Sequence, residues 1–121
     1  KIVADQHGSP TWAGAIASTL LDIAKRYDEG NPIQWGTYHY SSQPTTTWYE
    51  FAGTIFDQAV DFGMMEKRPK IDSICTEEFP TAAARPLNSV LDCSKIITAL
   101  RTPQPDWRTG LKEVLSEWRE Q

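Results

Sequence analysis

The stretch IVADQHGSPTWAGAIA (residues 2–17) passes from a strand into a helix through one short turn. Residues 2–4 are rich in β-branched side chains and predict a strand, whereas the Gly, Ser and Pro of residues 5–10 predict a loop. Thr11 is predicted to cap a helix that runs to about Tyr27, because apolar side chains follow it at helical spacing. These side chains are Ala13, Ile16, Ala17, Leu20, Ala24 and Tyr27.

A second strand and a second helix are predicted next. Residues 37–40, TYHY, are aromatic and β-favouring, which predicts a strand. Thr47 and Glu50 match a capping box, in which each side chain satisfies a backbone N–H at the helix start. The helix should end near Gly63, and its apolar stripe comprises Phe51, Ala52, Ile55, Phe56, Ala59 and Val60.

The last part of the chain predicts one more strand and two more helices. The strand is expected over residues 70–75, and an irregular segment with two prolines follows it. Asp92 should cap a short helix that ends at Leu100, and Asp106 should cap the final helix. Strands that alternate with helices predict an α/β fold with some parallel pairing: three short strands alternating with helices, plus C-terminal helices.

Composition excludes several classes of protein. The 121 residues fit a single domain or a fragment of one, 40% of them are apolar, and the net charge of −4 argues against nucleic-acid binding. No apolar run approaches the roughly 20 residues of a membrane helix, and no basic-plus-apolar leader is seen, so no membrane partner is expected. Two isolated cysteines, Cys75 and Cys93, fit a cytoplasmic protein.

The sequence contains no recognisable catalytic motif of its own. GxGxxG, GxxxxGK[ST], GxSxG and HExxH are absent, and no tyrosine is followed four residues later by a lysine. The last absence matters because a carbonyl reductase needs a proton donor close to the substrate oxygen. Asp5, His7 and His39 are better explained as ordinary loop and strand residues than as a metal cluster, and nothing near Cys75 would activate it as a nucleophile.

Two stretches remain candidates for binding. The loop at residues 5–11 precedes a helix, and its free N–H groups, with Gln6 and Thr11, suit an anionic or oxygen-rich ligand. Arg85 lies in an uncharged segment stiffened by Pro86, which suits bidentate binding of a carboxylate or phosphate. Ordinary capping of the turn, and an Arg that ties a loop to the core, explain the same residues equally well.

Four segments in this order give the chain a family resemblance. VADQHGSPTWAGAIA, GTYHYSSQPTTTWYEFA, EEFPTAAARPLNSVLDCSKI and PDWRTGLKEVL together resemble the C-terminal portion of the dTDP-4-dehydrorhamnose reductases, which are extended short-chain dehydrogenase/reductases. The family resemblance implies a Rossmann-like NADPH-binding part with a smaller substrate part, and reduction of dTDP-4-dehydro-L-rhamnose to dTDP-L-rhamnose in the cleft between them. It implies that the glycine loop and the Tyr-x-x-x-Lys pair lie on chain outside this sequence.

The resemblance also implies roles for individual residues. The DQxGxPT pattern places Asp5, Gln6, Gly8, Pro10 and Thr11 near the bound sugar nucleotide, and RPxNS does the same for Arg85, Pro86 and Asn88. Substrate binding is expected of Gln6, Gly8, Pro10, Thr11, Arg85 and Asn88, with Arg85 on the diphosphate and no catalytic residue in this chain. Some members dimerise through Mg²⁺, so a homodimer and Mg²⁺ are expected of the full-length protein. A non-catalytic regulatory subunit of the same fold is the alternative.

Overall fold

The computed structural model describes residues 1–120 and shows an α/β chain built from very short strands and longer helices. Its strands and helices are, in order, β1 Ile2–Val3, β2 His7–Gly8, α1 Ala13–Asp28, β3 Thr46–Thr47, α2 Trp48–Asp61, β4 Ser73–Ile74, a 3₁₀ helix Thr76–Glu78, α3 Ser94–Leu100 and α4 Trp107–Arg119. Within residues 1–120, no helix has both the length and the apolar character needed to span a bilayer.

The strands form two separate pairs. β1 and β4 are parallel, with Ile2 opposite Ser73 and Val3 opposite Ile74, which confirms the predicted parallel pairing. β2 and β3 are antiparallel, and β3 joins α2 directly. The strand predicted over residues 70–75 is shorter than expected, because β1 offers only two residues for it to pair with.

Helix α2 begins and ends as the sequence predicts. The Thr47 hydroxyl accepts a hydrogen bond from the Glu50 N–H at 3.2 Å, and the Glu50 carboxylate accepts one from the Thr47 N–H at 3.3 Å. The helix ends before Gly63, whose φ of +70° favours glycine. α2 packs against β1, β3 and α4 and therefore connects both strand pairs to the C-terminal helix.

Helix α4 buries part of its apolar face, and Trp118 near its end is 63% exposed. The Asp106 carboxylate accepts a hydrogen bond from the Arg108 N–H at 2.7 Å, which confirms the predicted cap. Trp107 and Leu115 are only 3% and 4% exposed. A Cβ on Gly110 would lie 2.8 Å from the Trp12 Cβ, so glycine at this position allows Trp12 to pack closely against the helix.

The strand predicted over residues 37–40 is wrong. The segment makes no strand ladder, but its side chains alternate, with Tyr38 and Tyr40 half-buried and Thr37 and His39 exposed. Both tyrosines pack on the buried cluster of Cys93, Ile96 and Leu100. The aromatic pattern therefore reflects a segment packed on α3, where no neighbouring strand pairs with its backbone.

Helix α1 departs from its prediction at its start and along its face. Thr11 does not cap it, because the Thr11 hydroxyl donates to the Ser9 carbonyl and accepts from the Ser42 N–H, each at 3.0 Å. Trp12 is the N-cap residue and makes no side-chain capping bond. Much of the predicted apolar stripe is solvent-exposed, including Leu20 at 61% and Tyr27 at 62%.

Candidate functional site

A hollow of about 430 Å³ lies where the β2 loop, the β3–α2 corner and the segment around Arg85 meet. We call it the Gln6–Arg85 hollow. It is open to solvent on one side, and it combines loop backbone with aromatic and cationic side chains. Its lining residues are Gln6, His7, Gly8, Ser9, Pro10, Thr46, Thr47, Trp48, Phe51, Arg85, Pro86 and Ser89.

Backbone hydrogen bonds at His7 bring the two sequence motifs together. The His7 N–H donates to the Leu87 carbonyl at 2.8 Å, and the His7 carbonyl accepts from the N–H of Ser89 at 2.9 Å and from its hydroxyl at 3.0 Å. A Cβ on Gly8 would lie 2.9 Å from the Ser89 Oγ, so a side chain there would push the segments apart. These contacts place Arg85 beside a loop that lies about eighty residues earlier in the sequence.

Gln6 is held by a hydrogen-bond chain that ends on a carboxylate. Its Nε2 donates to the Thr76 Oγ1 at 3.2 Å, and Thr76 Oγ1 donates to Asp5 Oδ1 at 2.7 Å. The Thr76 N–H also donates to both Asp5 oxygens at 3.0 Å. These bonds, the backbone one first, hold the pKa of Asp5 below its ordinary value. The charged form of Asp5 therefore anchors the end of β4 to the β1–β2 loop.

Arg85 and Trp48 supply the charge and the aromatic surface of the site. Both are exposed, and among residues 1–120 no carboxylate lies within ion-pair distance of Arg85. A second hollow of about 370 Å³ shares Gln6, Trp48 and Arg85 and adds Lys1 and Phe79. The arrangement suits a ligand with an anionic group near the guanidinium and a flat ring near the aromatics.

The structure brings together four of the six residues predicted to bind substrate. Gln6, Gly8, Pro10 and Arg85 line the Gln6–Arg85 hollow. Thr11 lines a separate, more apolar hollow of about 260 Å³ next to α4.

Asn88 is absent from the described lining of all three hollows. Its side-chain oxygen accepts the Val90 N–H at 3.0 Å, and its backbone forms a bridge with His7. The contacts seen for Asn88 therefore shape the segment that carries Arg85, and its contact with substrate stays a prediction.

Sequence reasoning missed the contribution of the β3–α2 corner and of Thr76. Thr46, Thr47 and Trp48 line the hollow because β3 pairs with β2 and so places the start of α2 over the loop. The capping box located this helix start, but nothing local indicates that it faces residues 6–10. Thr76 carries no motif, and its role is visible only in its contacts with Asp5 and Gln6.

Neither metal binding nor a reactive thiol is indicated in the part of the chain that the structure describes. Residues 1–120 contain no group of three or more His, Cys, Asp or Glu that could hold a metal ion. Cys75 and Cys93 are free thiols and do not form a disulfide with each other. A hydrogen bond to the Glu78 carboxylate raises the pKa of the Cys75 thiol, which makes it a poorer nucleophile than an ordinary cysteine.

The parallel β1–β4 pair, the helices around it and a hollow built from loops define an α/β ligand-binding domain. The comparison with family models then gives the particular family. The chain belongs to the family described as RmlD substrate binding domain, whose model matches residues 1–120. The family resemblance inferred from the motifs is thereby confirmed.

Similar proteins bear dTDP-4-dehydrorhamnose reductase names. The chain is 42% identical over 113 residues to the dTDP-4-dehydrorhamnose reductase of Aggregatibacter actinomycetemcomitans, across 93% of this chain and 38% of that protein. A crystal structure of the Bacillus anthracis reductase in complex with NADP matches with a TM-score of 0.78 and 31% identity, over 96% of this chain and 37% of that one. The Clostridium acetobutylicum reductase ortholog matches with a TM-score of 0.80 and 29% identity, over 98% and 38%. The chain thus spans less than two fifths of these relatives.

Proposed function

We propose that this chain is the substrate-binding part of an NADPH-dependent dTDP-4-dehydrorhamnose reductase, which reduces dTDP-4-dehydro-L-rhamnose to dTDP-L-rhamnose. In this proposal the Gln6–Arg85 hollow is one wall of the active-site cleft. The opposite wall, with the hydride donor and the proton source, belongs to the remaining three fifths of a protein as long as the relatives. The chain as a single domain of residues 1–121 is part of the same proposal.

The observation that carries the proposal is that Gln6 and Arg85 line one hollow. They come from two motifs of the family resemblance that lie far apart in the sequence, and hydrogen bonds at His7 join the two segments. The guanidinium, which has no ion-pair partner among residues 1–120, suits the diphosphate of a sugar nucleotide. Trp48, which is 56% exposed, offers a flat apolar surface for a base or a sugar ring.

This chain offers no glycine-rich loop of the kind that binds a dinucleotide's pyrophosphate. A glycine-rich loop holds a pyrophosphate by letting backbone N–H groups approach it without a Cβ in the way. Gly8 offers no such space, because Ser89 Oγ lies 2.9 Å from where its Cβ would be. We therefore expect NADPH to be held by the rest of the full-length protein. The comparisons do not support the Mg²⁺ inferred earlier, and a homodimer stays a prediction.

The names of the relatives favour the reductase over a regulatory subunit of the same fold. The similar proteins described above are reductases, and one of their structures contains NADP. We expect residues 1–121 alone to show no turnover, because the sequence lacks the Tyr-x-x-x-Lys pair. Measurable oxidation of NADPH by residues 1–121 alone would contradict this division of labour.

The full-length protein with Arg85→Ala tests the proposal. We expect the KM for dTDP-4-dehydrorhamnose to rise by about ten- to a hundredfold, from the loss of a charge-assisted contact of roughly 1.5–3 kcal/mol. The dissociation constant of NADPH should not change. NADPH oxidation and fluorescence titration measure these two quantities. Arg119→Ala, at the exposed end of α4, is the matched control. An unchanged KM for Arg85→Ala would assign Arg85 a structural role.

A further inference from the structure

We propose that Asp5 and Thr76 are positioning residues that fix the amide of Gln6, so that its carbonyl oxygen is presented to the ligand as a hydrogen-bond acceptor. The inference rests on the proposed function, because the ligand is taken to be the sugar nucleotide in the Gln6–Arg85 hollow. It assigns roles to Asp5 and Thr76, and it states which atom of Gln6 reads the substrate.

The direction of the hydrogen-bond chain follows from the charge on Asp5. An ionised carboxylate can only accept hydrogen bonds. The three short contacts from Thr76 to Asp5, at 2.7–3.0 Å, are therefore all donated by Thr76. Two use its backbone N–H and one uses its hydroxyl, so the only hydroxyl hydrogen of Thr76 is directed to Asp5.

This leaves Thr76 Oγ1 as an acceptor toward Gln6. The two ends of a glutamine amide differ in chemistry but have nearly the same shape, so their orientation is set by their partners. Only the NH₂ end can donate to Thr76 Oγ1, at 3.2 Å. The carbonyl end, Oε1, is then turned away from Thr76. The hydrogen bonds described for residues 1–120 give Oε1 no donor, while Gln6 is a lining residue of two adjoining hollows.

With the amide fixed, Gln6 and Arg85 recognise different groups of the ligand. Gln6 Oε1 requires a neutral N–H or O–H donor from the ligand, such as a sugar hydroxyl or the ring N–H of a pyrimidine. Arg85, which lines the same hollow, takes the anionic part. If the Gln6 amide turned over, its NH₂ would face the ligand and its oxygen would face Thr76 Oγ1, which has no hydrogen left to donate.

A reversal of the hydrogen-bond chain in the full-length protein tests this arrangement. In Gln6→Glu, a carboxylate faces Thr76 Oγ1, which has no hydrogen to donate to it, and the side chain is repelled by the charge of Asp5. In Asp5→Asn, the new amide can donate to Thr76 Oγ1 and still accept the Thr76 N–H. The double variant therefore lets the Thr76 hydroxyl donate to Glu at position 6, with the net charge of the wild type.

We expect Gln6→Glu to raise the KM for dTDP-4-dehydrorhamnose by about tenfold or more and Asp5→Asn to raise it by about three- to tenfold, with the KM for NADPH unchanged. The double variant should return to within about threefold of the wild type. Thr76→Ser should behave like the wild type and Thr76→Val like Asp5→Asn. An unchanged KM in Gln6→Glu, or single effects that simply multiply in the double variant, would overturn the proposal.

Two further measurements separate this inference from the proposed function. If the full-length protein does not reduce dTDP-4-dehydrorhamnose, the proposed function fails. The thermal midpoints of the wild type, Gln6→Glu, Asp5→Asn and the double variant still test the hydrogen-bond chain. Gln6→Glu should lower the midpoint and the double variant should restore it; a further fall in the double variant would overturn the chain. Inhibition of Gln6→Met by dTDP identifies the donor, because this substitution removes the acceptor without adding a charge. An unchanged inhibition constant indicates a hydroxyl of the sugar that dTDP lacks, and one that rises indicates a donor within dTDP.

Discussion

Helices α1 and α4 are both amphipathic in sequence, but α4 buries more of its apolar face than α1, although its Trp118 is 63% exposed. Trp107 and Leu115 of α4 are almost fully buried against α2 and Trp12, whereas Leu20 and Leu21 of α1 are 61% and 70% exposed. Ile23 is the residue of α1 that packs on the α3 cluster. The comparison shows that an apolar stripe predicts a helix with one apolar face. The stripe does not show whether the segment that covers this face belongs to residues 1–121.

The largest expected effect concerns the buried face. Leu115→Ala should lower the free energy of unfolding of the full-length protein by about 2–5 kcal/mol, because it removes buried methyl groups and leaves a cavity between α4 and α2. Chemical denaturation measures this loss. Lys112→Ala, on the exposed side of the same helix, is the control and should change stability by less than about 0.5 kcal/mol. A loss of that small size for Leu115→Ala would contradict the packing described for α4.

The second largest effect is expected for a substitution on the apolar face of α1. Its size shows whether the rest of the full-length protein covers this face. In the full-length protein, Leu20→Ser should cost about 1–2 kcal/mol, because we propose that the remaining chain packs on this face and buries the leucine. Lys112→Ser, at an exposed position of α4, is the control. A free energy of unfolding that Leu20→Ser leaves within about 0.5 kcal/mol of the wild type would show that α1 is solvent-facing in the full-length protein.

Helices α1 and α4 also differ at their N-termini, because only α4 has a side-chain cap. The expected effect on stability is smaller here. Asp106→Ala should cost about 1 kcal/mol, because the Arg108 N–H loses its acceptor at 2.7 Å. Asp106→Asn keeps an acceptor and should cost less. α1 has no side-chain cap at Trp12, so no single substitution there removes an equivalent bond. Thermal unfolding compares the two variants, and equal losses for alanine and asparagine would contradict the assigned cap.

The pH dependence of stability should differ between a substitution in a site loop and one in a buried helix, and this is the smallest expected effect. The hydrogen bonds from Thr76 lower the pKa of Asp5, so Asp5 stabilises the folded protein above the pKa it has when unfolded, about 3.9. That contribution should be lost as the pH falls through the lower, folded pKa. Asp5→Asn should flatten the fall of stability below about pH 4, while Leu115→Ala should leave its shape unchanged. Urea unfolding at several pH values measures both, and an acid limb that Asp5→Asn leaves unaltered would contradict the anchor at Thr76.

Predictions from the sequence succeeded where the signal was local. The capping box at Thr47 and Glu50, the end of α2 near Gly63 and the Asp106 cap of α4 all involve residues within a few positions of each other. For α3 the N-cap residue is Cys93 and not the predicted Asp92, although the Asp92 carboxylate accepts the Ser94 N–H at 2.9 Å. The backbone groups at a helix end are capped by residues close to them in sequence, so a short segment is enough to predict where the helix starts and ends. The cap predicted at Thr11 failed because its hydroxyl is bonded to Ser42, thirty-one positions away.

Predictions failed where the partner was distant and the element short. The TYHY segment has the composition of a strand but packs on α3. The two-residue strands β2 and β3 have no periodicity to detect, yet their pairing places the start of α2 over the candidate site. The family resemblance selected Gln6 and Arg85 without showing that they meet, and Thr76 had no sequence signal at all.

Local sequence was enough to establish the helices, the caps of α2 and α4, the α/β class and the family, because each depends on neighbouring residues or on motifs in a fixed order. The meeting of Gln6, Thr76 and Arg85 was decided only in three dimensions. The reason is physical: the contacts that join these segments are hydrogen bonds between backbone and polar side chains many residues apart. Any residue can offer a backbone N–H or carbonyl, so the amino-acid sequence carries almost no mark of which two will pair.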